Sequence, residues 1–172
     1  MVKAISERAE VTVLAGRPSY NPTEKHGYYL LARERNDDVT VERVGSTGYD
    51  RSFFLGRVVN YITYLVLMPL RAVAIMPRPD VIVGMTDPPI VSIVGSVVSK
   101  LIGVPFVYVI QDLHPDMALA VGIRIPRPII WLWEYLHRLA LRRAAKVVVL
   151  GNDMSRCIEA KGVDRKRIHV VR

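Results

Sequence analysis

Hydrophobic residues in this chain fall into short continuous runs punctuated by glycine, proline and acidic residues. Residues 10–15 (EVTVLA) are a β-branched run closed by Gly16, Arg17 and Pro18, which predicts a strand. A polar loop is expected to follow through Tyr20, Asn21, Pro22 and Gly27. Residues 39–44 (VTVERV) alternate with period two and stop at Gly45, the pattern of a half-buried strand. Residues 45–56 read as loop, and 57–76 as a helix with a stop or kink at Pro69.

The clearest unit comes next. Residues 80–85 (DVIVGM) predict a buried strand, and Pro88-Pro89 open a helix over 90–102. Gly103-Val104-Pro105 end that helix, and residues 106–110 (FVYVI) predict a second buried strand. Continuous apolar strands joined by a crossover helix indicate a parallel sheet. Ser92, Gly95, Ser96 and Ser99 are small, so the helix is expected to lie close on the sheet. Pro126 and Pro128 precede a helix reaching Arg143, with Ile129, Leu132, Trp133, Leu136, Leu139 and Ala140 as its expected buried stripe. A strand over 146–150, a short helix capped by Ser155 and a strand over 168–171 complete the alternation. The fold class is therefore α/β, a Rossmann-like parallel sheet with helices on both faces.

Composition narrows the picture. The 172 residues are 51% hydrophobic and 23% charged, enough for one α/β core and too apolar for a disordered chain. A lone cysteine, Cys157, excludes an internal disulfide framework and a multi-cysteine zinc site. The opening MVKAISERAE has no apolar run, so no secretory leader is expected. Between Arg57 and Arg71 lie 13 uncharged residues, short of the roughly 20 a membrane span needs. That helix is expected to pack on the core; lying on a membrane surface through Tyr61, Tyr64 and Leu65 is the alternative. The charge is uneven. Residues 124–172 hold 12 basic and four acidic side chains, which accounts for the whole net charge of +8. Such a segment suits either a phosphate-rich partner or a solvated helix face.

In an open parallel sheet, ligands bind beyond the carboxyl ends of the strands. Three polar segments leave those ends: Thr86-Asp87, then QDLHPD over 111–116, then Gly151-Asn152-Asp153 with Ser155. The second places Asp112, His114 and Asp116 within five residues, a group able to orient hydroxyls or act as general base. No metal is expected there, since His26, His137 and His169 are scattered and no second histidine or cysteine stands at ligand spacing. The third offers either a phosphate cradle or a capping turn. Trp131, Tyr135, Arg138, Arg142 and Arg143 make either an aromatic-basic patch for lipid headgroups or a partly packed, solvated face. Neither GxGxxG nor GxxxxGK[ST] occurs, so either the fold lacks the phosphate-binding first turn or the chain lacks that first strand.

Residues 57–116 resemble the N-terminal domain of family 4 glycosyltransferases, in particular the bacterial group of exopolysaccharide, colanic acid and O-antigen assembly. The motifs are EVTVLAGRPSYNP, Arg57 with Asn60 and Tyr61, Pro77–Asp80, Thr86 with Pro88-Pro89, and Asp112-Leu113-His114-Pro115-Asp116, where the group has Asp-Leu-Trp-Pro-Glu. The likeness extends over 3–172. It implies half of a GT-B fold, with the first strand and the donor-binding domain absent, so that residues 1–172 are one acceptor-side domain that does not transfer sugar alone. It also implies retaining transfer from a nucleotide-sugar to a polyprenyl-diphosphate-linked or saccharide acceptor, without cofactor or metal. Asp112 and His114 would be catalytic, with Thr86, Asp87, Asp116 and Asn21 on the acceptor. Arg138, Arg142 and Arg143 would meet phosphate or an anionic membrane at the cytoplasmic face of the inner membrane. The chain would be either a fragment of a longer enzyme or a split subunit with a separate donor-binding chain as its partner; nucleic acid is not expected. The alternative is a non-catalytic module for membrane-surface or subunit docking.

Overall fold

A computed structural model of the chain describes residues 2–16, 31–36, 38–47, 49, 54–75, 77–86, 91–113, 122 and 126–171. They form two compact units, Met1–Ile75 and Met76–Arg172, each with its own sheet.

The first unit contains α1 (Val2–Ser6), β1 (Val11–Gly16), β2 (Leu31–Asn36), β3 (Val39–Val44) and α2 (Phe54–Ala74). Its strands lie in the order β1-β3-β2, with β1 parallel and β2 antiparallel to β3. The hydropathy pattern gives no strand at β2, because LARERN is polar on both faces. Charge pairing takes the place of apolar alternation: Arg33 lies opposite Glu42 in register, and Arg43 Nε donates to Glu34 at 3.0 Å.

Glu42 is only 4% exposed and is met from α2 by Arg71, whose Nη2 lies 2.8 Å from Oε2. That bond ties the last turn of α2 to the sheet. The helix begins at Phe54 rather than 57, and it runs through Pro69 to Ala74, so of the stop or kink expected at Pro69 there is no stop. A mid-helix proline removes one backbone donor, and the anchored Arg71 holds the turn beyond it. Tyr64 is half-buried and packs on β1, with its ring 3.4 Å from the position a Cβ would take on Gly16. Asn60 is buried: its Oδ1 accepts from Thr47 Oγ1 and Tyr49 N, and its Nδ2 donates to Tyr49 O. The asparagine thus fastens residues 47–49 to α2.

The second unit holds β4 (Ile82–Met85), α3 (Val91–Ile102), β5 (Phe106–Ile110), α4 (Arg127–Arg143), β6 (Lys146–Val149), α5 (Asn152–Ala160) and β7 (Ile168–Val170). Its four strands are all parallel, in the order β4-β5-β6-β7. This is the Rossmann-like α/β arrangement that the apolar strands and crossover helices predicted. The small face of α3 does what its composition suggested. Ser92, Ser96 and Ser99 are buried, and a Cβ on Gly84 would come within 2.8 Å of Phe106 Cε2 and 3.2 Å of Ser92 Cα. Gly103 ends α3 at φ +74°, which a glycine adopts without strain.

Phe106, Tyr108, Ile110, Leu141, Val147 and Ile158 centre the core. Tyr108 brings a hydroxyl into it, and a buried hydroxyl needs partners. Ser92 of α3 donates to Tyr108 Oη at 2.9 Å, and Oη lies 3.1 Å from His137 Nδ1 of α4. Burial pushes the Tyr108 phenol up to about 12, the Ser92 bond offsetting only part of the effect, so it stays a neutral donor.

The expected stripe of α4 holds in part. Ala140 is buried and Trp133, Leu136 and Leu139 are half-buried, but Ile129 and Leu132 are exposed, while His137 and Leu141, outside that stripe, are buried. At 100° per residue, the inward face is turned by about a quarter revolution from the apolar stripe. The end of α5 is tied to α4 by Lys161 Nζ, 3.0 Å from both Glu134 carboxylate oxygens, with Arg138 Nε also 3.0 Å away. Partial burial opposes ionisation of Glu134, but the two cations outweigh it and hold the carboxyl below its ordinary 4.5.

Two outcomes follow. Tyr108→Phe removes the hydroxyl that Ser92 and His137 both contact and lowers the unfolding free energy by about 1 kcal/mol in urea titrations. Because the Glu134 carboxyl is depressed in the folded state, its contribution is present above the unfolded value and fades as pH falls through the folded one. The destabilisation by Glu134→Gln is therefore constant from neutrality to mild acid and disappears in stronger acid, measured by melting at each pH.

Candidate active site at the carboxyl edge of the parallel sheet

Parallel pairing puts the carboxyl ends of β4, β5 and β6 on one edge: Met85 lies opposite Val109, and Ile110 opposite Val149. The apolar run of β5 stops at Ile110, and the next backbone N–H groups leave the ladder needing acceptors. Thr86, itself buried just past β4, supplies one. Its Oγ1 accepts from Gln111 N at 3.0 Å and from Asp112 N at 3.3 Å. On the other side, Leu113 packs against the core. Asp112 is therefore held between a hydrogen-bonded clamp and an apolar anchor, with its half-buried side chain at the sheet edge. A carboxylate on a backbone held there suits an acceptor for hydroxyl donors or a base.

The structure thus brings together Thr86 and Asp112, which are far apart in sequence. Asn21, Asp87, His114 and Asp116 lie outside the described residues. The start of α5 does not form the suggested phosphate cradle. Its cap is Gly151, not Ser155, and the Asp153 carboxylate sits over Gly151 where an anion would have to approach. Ser155 is turned inward, donating to Glu159 Oε1 at 3.0 Å and accepting from Arg165 Nη1.

The predicted basic residues separate. Arg138 and Arg142 share the exposed face of α4 with Trp131 and Tyr135, whose rings stack at 5.8 Å. Arg143 instead lines a cleft of about 350 Å³ beside the amino end of β5, with Ser96, Ser99, Lys100, Gly103 and Val104. The carbonyl ends of α3 and α4 gather there, and the two cations offset their partial negative charge. Sequence reasoning missed the double bond made by Thr86; its only sequence signal is a hydroxyl residue directly following a buried strand. Among the described residues, no three metal-ligating side chains cluster, and no helix is long and apolar enough to cross a membrane.

A family model described as a glycosyl transferase 4-like domain matches residues 1–172. The chain belongs to that family. No curated protein matches it. Membership makes this a glycosyltransferase-type domain, for which a nucleotide-sugar donor and an acceptor are the general substrates. The Rossmann-like sheet is consistent with one half of a GT-B glycosyltransferase, and the edge carrying Thr86 and Asp112 is where such sheets bind ligands.

Thr86→Val keeps the shape but removes the acceptor shared by two amides. We expect Gln111 and Asp112 amide exchange to accelerate about fivefold, the equivalent of about 1 kcal/mol, with the β5 amides unchanged in the same NMR experiment.

Proposed function

We propose that this domain is the acceptor side of a retaining glycosyltransferase of surface polysaccharide assembly, of the exopolysaccharide, colanic acid or O-antigen type. The acceptor is a polyprenyl-diphosphate-linked sugar or a saccharide, presented at the cytoplasmic face of the inner membrane. The donor is a nucleotide-sugar. The observation that carries the reading is the Thr86 clamp, which fixes Asp112 at the carboxyl edge of a parallel sheet in a glycosyltransferase 4-like chain.

In this reading the Asp112 carboxylate accepts the hydrogen bond of the attacking acceptor hydroxyl, and His114 shares the handling of its proton. The hydroxyl oxygen forms the new glycosidic bond, and the nucleoside diphosphate leaves with the electrons of the old one. Thr86 acts through the backbone of Asp112, while Asp87, Asp116 and Asn21 position the acceptor. No metal or cofactor is assigned a step.

Asp112→Asn tests this. In membranes supplying nucleotide-sugar and acceptor, transfer of radiolabelled sugar falls by about 100-fold or more, while the melting temperature is unchanged. Full activity in the variant removes Asp112 from the site.

A further inference from the structure

The cleft at the amino end of β5 has features that glycosyl transfer at the opposite edge does not use. Its volume of about 350 Å³ stands at the lower end of the roughly 300–1,000 Å³ typical of small-ligand sites. Among its lining residues Ser96 of α3 is the most deeply buried, only 2% exposed. Its Oγ has no hydrogen-bond partner among the described residues, and a hydroxyl withdrawn from water normally has one. The hydroxyls one turn either side on the same helix face are satisfied. Ser92 donates to Tyr108 Oη, and Ser99 donates to Val104 O at 2.7 Å. Ser96 alone of the three is left open.

Two cations share the cleft. Lys100 follows Ser96 by one turn in the last turn of α3, and Arg143 comes from the last turn of α4. Both are exposed, and neither has an acidic partner among the described residues. The helix-end carbonyls around them have donors of their own. Ser99 O accepts from Gly103 N and Val104 N, while Arg142 O and Ala144 O both accept from Arg167 Nη1 at 3.1 Å. The charge of Lys100 and Arg143 therefore remains free to meet an anion.

We propose that this cleft binds the phosphate of a small soluble phosphate monoester, of the sugar-phosphate class. Arg143 and Lys100 meet two of the charged oxygens, and Ser96 donates to the third. The Lys100 ammonium rides on a flexible four-carbon stem and swings aside to admit that oxygen to the hydroxyl. A carboxylate would be satisfied in one plane by the arginine fork and would leave the other two donors without acceptors. A phosphodiester or a diphosphate linker has no phosphorus with three free oxygens, which excludes glycerophospholipid headgroups, nucleotide-sugars and lipid-linked sugars. The length of β5, five residues or about 16 Å, separates the cleft from Asp112. A ligand held here takes no part in chemistry at that carboxylate; it bridges α3 to α4 as an effector. The proposal does not rest on the transfer reading.

Isothermal titration calorimetry of the full chain with glucose-6-phosphate tests it. We expect saturable binding that Lys100→Gln and Arg143→Gln each weaken by about tenfold, and Ser96→Ala by about fivefold. Ser96→Ala removes a hydroxyl that has no partner, so the melting temperature of the free protein stays the same or rises. That separates lost binding from lost folding. Hydrogen exchange slows in residues 100–104 on binding, and Asp112→Asn leaves the affinity unchanged. UDP-glucose and phosphatidylglycerol vesicles, in which no phosphorus has three free oxygens, show no binding that depends on these three side chains. Absence of binding at millimolar glucose-6-phosphate overturns the proposal, as does affinity unaffected by the three substitutions. Binding of UDP-glucose or of the vesicles that the same substitutions weaken also overturns it. So does loss of binding in Asp112→Asn, which would put the sugar phosphate at the transfer edge. The two readings fail separately: undiminished sugar transfer by Asp112→Asn removes the site proposed above and leaves this one standing.

Discussion

A buried phenol governs the second unit. Tyr108 sits at the centre of the core, where its hydroxyl can be neither hydrated nor left alone. One bond comes from Ser92 on α3 and the other contact is with His137 on α4. Those two contacts fix which face of each helix turns to the sheet. For α3 the inward face is the small one, allowing the close approach at Gly84 that a Cβ would block. For α4 the inward face is the one carrying His137, so a tryptophan, a tyrosine and a leucine remain outside. The exposed aromatic face is thus a consequence of satisfying a polar group elsewhere.

The same logic operates at the sheet edge. Backbone groups leaving β5 find their acceptor in Thr86, on the strand that parallel pairing makes their neighbour. A buried threonine is a modest residue, yet it connects the register of two strands to the placement of Asp112. In the first unit, Glu42 plays the corresponding part, gathering Arg33 and Arg71 so that a polar strand and a proline-bearing helix both hold. Buried polar groups, more than apolar area, decide where these elements end and which way they face.

This explains what was legible in the sequence. The strands of the second sheet were, because continuous β-branched runs bounded by glycine and proline carry their own signal. So was the small face of α3. The strand at β2 was not, since LARERN lacks apolar alternation and is held by cross-strand charge pairs to β3, which a hydropathy pattern does not register. The rotation of α4 was hidden for the same reason: Ile129 and Leu132 look like core until Tyr108 claims the face with His137. At the site, Thr86 and Asp112 could each be noticed, but their bond depends on strand register. Arg143 is turned away from Arg138 and Arg142 by simple helical geometry, one residue being enough to bring it beside Lys100.

The central claim is that the edge carrying Thr86 and Asp112 receives the acceptor of a glycosyl transfer. Hydrogen exchange of the full chain, followed by mass spectrometry with and without a farnesyl-diphosphate-linked N-acetylglucosamine, addresses it without knowledge of the donor. Slowed exchange in residues 111–113, with no change around Lys100 and Gly103 at the other end of the strands, is the predicted result. Protection confined to that far end, or none at saturating ligand, would contradict the account.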